Sequence, residues 1–252
     1  MERKMKRNHG RLFLNILPSL FTLGNLLCGF LALTNVVKGT NVAYVTAAWW
    51  IVIAAIFDAL DGKVARLAGS SSEFGIEFDS LADLVSFGVA PAVLIHNYIL
   101  ADAGPLGYIL SFGFLATGAI RLARYNVSAV EGRKSYFTGM PIPSAASILA
   151  ALVLFAENVW GRMGTLDVTT AIIIFTAIAM VSTFHYSAFP RISFSTPRET
   201  TKSTSFLLTI LLMILFPDEM FFPVGIVYLL SGPAVYLFAP AVENVSHRGT
   251  SA

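Results

Sequence analysis

Charge is scarce in this sequence. Asp, Glu, Lys and Arg make up 13% of its 252 residues, where a soluble domain carries about a quarter. There is too little charge here to coat the surface of a soluble fold of this length. Cysteine is nearly absent too. Cys28 stands alone inside an apolar run, which excludes a disulfide within the chain and any site built on paired cysteines. The four histidines, His9, His96, His185 and His247, are scattered and form no spaced cluster, so a zinc site has no ligand set. They suit interfacial or packing positions. Internal repeats, low-complexity tracts and a separate soluble domain are also missing.

What fills the space is apolar sequence, 56% of the chain, in runs near the roughly 20 residues that cross a bilayer. The runs lie near 14–37, 41–60, 80–100, 105–123, 143–160, 168–189, 204–217 and 220–239. The expected fold is therefore an all-α polytopic membrane bundle of about eight helices. It would form a single transmembrane domain over 1–240, followed by a short polar tail at 241–252. The first run follows a basic stretch, Met1–Arg11, but lacks a small-residue cleavage site. It reads as a retained span and not as a removed leader. Pro217-Asp218-Glu219 breaks the last two runs into a tight hairpin or one interrupted element. Trp49, Trp50 and Trp160 suit helix ends or packing.

With eight spans, the loops on the side of the termini hold fifteen Lys and Arg residues and the opposite loops hold two, Lys38 and Arg162. By the positive-inside rule, the termini and the loops at 61–79, 121–142 and 190–203 are expected to be cytoplasmic. The protein would be integral to the cell (inner) membrane, with no nucleic-acid partner.

Against this apolar background four aspartates stand out. Asp58 and Asp61 are three residues apart, and Asp79 and Asp83 are four apart. Either spacing places a pair on one helix face. The first pair ends one span and the second begins the next, so a hairpin gathers all four at the membrane boundary. Four carboxylates at close range repel one another where little water screens them, and divalent cations relieve that repulsion. Oxygen-only ligands favour Mg²⁺ or Mn²⁺, with Ca²⁺ as another occupant, over zinc. Two ions would balance four carboxylates and leave a positive field for a diphosphate. The neighbours suit such a ligand. Gly62 and Gly75 let a nucleotide approach the backbone, Arg66 can fork onto phosphate oxygens, and Gly69-Ser-Ser-Ser72 offers hydroxyls and backbone N–H groups. Carboxylates within a membrane are functional by default.

The pattern Asp-x2-Asp-Gly-x2-Ala-Arg-x8-Gly-x3-Asp-x3-Asp is met at every defined position from Asp58 to Asp83. It resembles the signature of the CDP-alcohol phosphatidyltransferases. The resemblance implies a six-helix core, here with a C-terminal pair added, and transfer of a phosphatidyl group from a CDP-lipid to an alcohol with release of CMP. It implies that Asp58, Asp61 and Asp79 are metal ligands, and that Asp83 is both a ligand and the general base. Gly62, Arg66 and Ser72 match positions that contact the CDP moiety, and the family suggests a homodimer.

Flanking segments resemble the serine-accepting branch of that family, the integral-membrane phosphatidylserine synthases. They are Leu17–Phe30, with Thr22 and Asn25 at matching positions and Ser19 where the branch has Asn; Ser72–Pro91; Arg121-Leu-Ala-Arg124-Tyr-Asn126; and Phe137–Pro143. This implies CDP-diacylglycerol as donor and L-serine as acceptor. Thr22 and Asn25 would hold the cytidine end, or else simply bond neighbouring helices. Arg121 and Arg124, at a cytoplasmic span end, suit the diphosphate or the serine carboxylate, or else anchor to lipid headgroups. Asn126 is a candidate of the same sort.

Three other functions share some of these features. A sister transferase accepting glycerol 3-phosphate or an inositol phosphate would use the same metal motif, with more basic residues in the pocket. A prenyl transferase spaces its aspartates differently. A cation transporter would place its carboxylates nearer the midplane.

Overall fold

The structure is a computed structural model that describes residues 20–68, 73–130, 139–160, 165–184, 186, 193 and 195–246. Among the described residues every regular element is helical. In chain order they are α1 (Leu20–Val36), α2 (Asn41–Ala68), α3 (Glu73–Asp83), α4 (Ala90–Tyr98), α5 (Pro105–Val130), α6 (Ile142–Phe155), α7 (Thr165–Val181), α8 (Pro197–Leu215) and α9 (Pro217–Ser246). A π turn, Leu84–Val89, joins α3 to α4 as one continuous helix, and a second, Ala156–Trp160, extends α6. Five helical stretches are long and apolar enough to cross a membrane: Asn41–Val64, Phe74–Tyr98, Pro105–Val127, Ile142–Trp160 and Pro217–Leu237. The chain is a membrane protein of the all-α kind.

The connections follow from local chemistry. Between α1 and α2 the chain reverses through Gly39, whose φ of 66° favours a residue without a side chain. Thr40 then caps α2, its Oγ1 accepting from the Ala43 N–H at 3.3 Å. Gly104, at φ 57°, precedes Pro105, which opens α5. Thr196 caps α8 by accepting from the Glu199 N–H, with Pro197 in the first turn. Between α8 and α9 only Phe216 interrupts the helix, and the two helices pack on each other. The last pair is therefore a hairpin.

Helix α6 is the centre of the bundle. Ile142, Ala145, Ala146 and Ile148–Leu154 are all buried, and α6 packs against both α2 and α9. Small residues make the close approach possible. On α2, Ala43, Ala47, Ile51 and Ala54 form a buried stripe at helical spacing. On α5, Gly107, Ser111, Phe114, Gly118 and Leu122 form another. A methyl group at Gly118 would meet the Ile142 side chain, and one at Gly225 of α9 would meet Ile148. The opposite face of α5 presents Leu106, Ile109, Phe112 and Ile120 outward, as a lipid-facing surface should.

The helices overrun the apolar spans. Helix α2 continues past residue 60 to Ala68, and α3 begins at Glu73, before residue 80. Backbone hydrogen bonding does not stop where charge begins, so both aspartate pairs sit within helices and not at their ends. Helix α7, expected to reach 189, stops at Val181. There Ser182 turns the chain, its Oγ donating to the Ala179 carbonyl at 2.8 Å. The freed backbone pairs instead with the segment before α6: Gly139 N–H donates to the Phe184 carbonyl and Met140 N–H to the Ala179 carbonyl, each at 2.9 Å. Helix α9 runs on to Ser246, into the stretch read as a polar tail.

Candidate active site

Asp58 and Asp61 project from the C-terminal half of α2. Asp79 and Asp83 project from α3, just ahead of the π turn. Asp58, Asp79 and Asp83 each offer a carboxylate oxygen, and these three oxygens lie within 4.8 Å of one another. Asp61 is turned partly toward α1, where it accepts a short hydrogen bond from Thr22 Oγ1. Its other oxygen, Oδ1, is buried without a hydrogen-bond partner, as is Asp79 Oδ1. Buried carboxylate oxygens that the protein leaves unsatisfied are costly. A divalent cation in the cluster would satisfy them, and a donor set made only of oxygen suits a hard ion. The residues therefore fit a bound divalent metal.

Helix α1 closes the site from the other side. Asn25 is fully buried and donates from Nδ2 to Asp83 Oδ1 at 3.0 Å. Its backbone carbonyl accepts from Ser86 Oγ, in the π turn, at 2.9 Å. Gly29 makes room for this contact, since a Cβ there would press on both the side chain and the backbone of Ser86. The π turn is what brings Ser86 to α1, and such turns recur at functional sites. Thr22, Asn25 and Gly29 thus bind α1 to both aspartate pairs. The spacing of Thr22 and Asn25 marked them as candidates, but Ser86 and Gly29 carried no signal in the sequence. Their role arises only when α1 meets the π turn.

The remaining candidates separate. Gly62 is exposed, and a Cβ there would meet no protein atom within 4 Å; packing therefore does not require glycine at this position. Gly75 is half-buried on α3. Arg121, on α5, is half-buried and close enough for its charge to act on Asp58 and Asp83. Arg124 is exposed and donates from Nη1 to the Val181 carbonyl at 3.1 Å, a bond that caps the end of α7. Asn126 donates from Nδ2 to Ser80 Oγ at 2.9 Å and so reaches the helix face between Asp79 and Asp83. Ser72 and the side chain of Arg66 lie outside the described residues.

An all-helical membrane bundle with an oxygen-only carboxylate cluster shared between two of its spans defines the class: a membrane protein with a polar, cation-binding centre. The particular family follows from comparison. The chain belongs to the CDP-alcohol phosphatidyltransferases, a family of phosphotransferases whose model matches residues 15–184. It is 36% identical over 184 residues to a CDP-diacylglycerol–serine O-phosphatidyltransferase of Helicobacter pylori, covering 72% of this chain and 76% of the relative. It is 33% identical over 161 residues to the protein of that name from Methanocaldococcus jannaschii, covering 64% and 73%. The protein of the same name from Bacillus subtilis is 32% identical over 152 residues, covering 60% and 83%.

Proposed function

We propose that the protein transfers the phosphatidyl group of CDP-diacylglycerol to the hydroxyl of L-serine, releasing CMP. The observation that carries this reading is the meeting of Asp58, Asp79 and Asp83 within 4.8 Å, beside the unsatisfied oxygens of Asp61 and Asp79. The printed names of relatives from bacteria and an archaeon support the choice of donor and acceptor.

Asp58, Asp61, Asp79 and Asp83 would hold two divalent ions, Mg²⁺ or Mn²⁺. When bound, these supply positive charge against the diphosphate and the departing CMP. Asp83 is the general base. Asn25 holds one of its oxygens and so aims the carboxylate, leaving the second oxygen to accept the serine hydroxyl proton. The hydroxyl oxygen bonds to the lipid-side phosphorus as the bond from that phosphorus to the bridging oxygen breaks. CMP leaves with the bridging oxygen. Gly62, Gly75, Arg66 and Ser72 line the approach of the nucleotide. The donor's tails stay in the bilayer while serine and CMP remain in water, so the site belongs at the membrane boundary. The Lys and Arg distribution supports the cytoplasmic face of the cell membrane. The family resemblance supports a homodimer of single-domain protomers.

The test is CMP release by the purified protein with Mg²⁺ or Mn²⁺ and CDP-diacylglycerol, over a panel of acceptors. Release is expected only with L-serine, and chelation with EDTA should stop it. Release driven by glycerol 3-phosphate and not by serine would overturn the acceptor; release with no metal would overturn the role of the cluster.

A further inference from the structure

The family match ends at residue 184, yet the helices beyond it reach the polar centre. Tyr228, on α9, is close enough to Arg121 on α5 for the two groups to interact electrostatically. Its phenol is held at both ends. Ser144, near the start of α6, hydrogen-bonds to the hydroxyl. The Tyr186 ring packs against the Tyr228 ring at 5.4 Å between centroids, and Tyr186 is fixed in turn by donating its hydroxyl to the Leu229 carbonyl at 3.1 Å. Gly232 leaves the space that the Tyr186 ring fills.

Arg121 joins this group to the aspartates. Its charge acts on Asp58 and Asp83 and on the phenols of Tyr125 and Tyr228. Its Nε is buried with no hydrogen-bond partner, so the protein leaves part of a strong five-donor group unused. The Tyr228 hydroxyl, accepting from Ser144, keeps its own proton free to donate. The centre therefore has two chemically opposite sides, with acceptor oxygens on Asp58, Asp79 and Asp83 and donor groups on Arg121 and Tyr228. A forked guanidinium beside a phenol is a donor set matched to a carboxylate.

We infer that Tyr228, seated by Ser144 beside Arg121, completes a subsite that binds the carboxylate of the acceptor alcohol, so that the C-terminal hairpin helps to select the acceptor. The inference rests on the serine reading above. An acceptor held by its carboxylate on the Arg121 side presents its hydroxyl toward Asp83. An amino alcohol without a carboxylate would leave both donors unpaired, and a site that must strand buried polar groups rejects such an analogue.

Steady-state CMP release by the full-length protein, varying L-serine and CDP-diacylglycerol separately, tests this with Tyr228→Phe and Ser144→Ala. Tyr228→Phe keeps the ring and its packing. It should raise KM for serine about tenfold, the worth of one hydrogen bond to a charged group. KM for CDP-diacylglycerol should stay within about twofold. The preference for serine over ethanolamine should narrow by a similar factor, and Ser144→Ala should shift the same quantities less. An unchanged KM for serine, or an equal rise in both KM values, would overturn the subsite while the serine reading stood. A wild-type protein that releases no CMP with serine would overturn both, and that result appears before any variant is made.

Discussion

At the scale of single residues, the four aspartates are not equivalent. Asp83 alone combines near-complete burial, a place in the three-carboxylate group and a dedicated donor in Asn25. Asp83→Asn is nearly isosteric but cannot take up a proton. It should lower turnover by roughly 10²–10⁴-fold, the usual worth of a general base, with the melting temperature little changed; a near-normal rate in CMP release would remove Asp83 from that role. Thr22 carries a different prediction. Its hydroxyl is spent on Asp61, so it acts through a candidate ligand and not directly on the cytidine. Groups that orient metal ligands are worth about 10- to 100-fold in metal affinity. Thr22→Val should therefore move the Mn²⁺ dependence of activity to about tenfold higher concentration, with turnover largely restored at saturating metal. A rise in KM for CDP-diacylglycerol at constant metal response would instead assign Thr22 to the nucleotide. The aspartates were legible from spacing alone, because helical periodicity brings residues three or four apart together. Their partners were not, since Thr22 lies 39 residues from Asp61 and Asn25 lies 58 from Asp83, and no local rule spans that distance.

At the scale of elements, the site depends on how α1 meets the π turn after α3. A side chain larger than hydrogen at Gly29 must push Ser86 away, and with it the carbonyl contact to Asn25. Gly29→Val should separate α1 from both aspartate pairs, lowering activity at least tenfold and reducing thermal stability. Gly113, on α5, is the control: a Cβ there meets nothing within 4 Å, so Gly113→Ala should leave activity unchanged and the fold no less stable. Equal effects of the two would show that α1 does not depend on this contact. Hydropathy located the helices well, because lipid permits only a narrow range of spanning structures. It misplaced their ends and gave no sign of the π turns. Where α2 stops is set by backbone hydrogen bonds that continue into the charged region, and where α7 stops is set by pairing with Gly139 and Met140. A π turn is a product of packing between helices, which a single strip of sequence does not display.

At the scale of the whole molecule, the question is which face of the membrane the centre serves. The contacts tie several basic segments to one end of the bundle. Arg121 interacts with the aspartates, and one helical turn along α5 Arg124 caps the end of α7. Beyond α7, Ser193 and Ser203 are joined, Ser203 Oγ donating to the Ser193 carbonyl at 2.7 Å, which holds the start of α8 to the connecting segment. The reversal at Lys38–Gly39 lies at the opposite end of α2 from Asp58 and Asp61. A site that takes a lipid-linked nucleotide and a water-soluble acceptor needs access to the compartment holding both serine and CMP, so the end bearing Lys202 should face the cytoplasm and Lys38 should face outward. With Cys28 the sole cysteine in the sequence, a Cys28→Ser background permits single-site labelling. On intact spheroplasts, a membrane-impermeant maleimide should label Lys38→Cys directly and Lys202→Cys only after permeabilisation. The reverse pattern would place the carboxylates on the wrong side for their substrates, and the charge bias would then have to be explained without the proposed reaction.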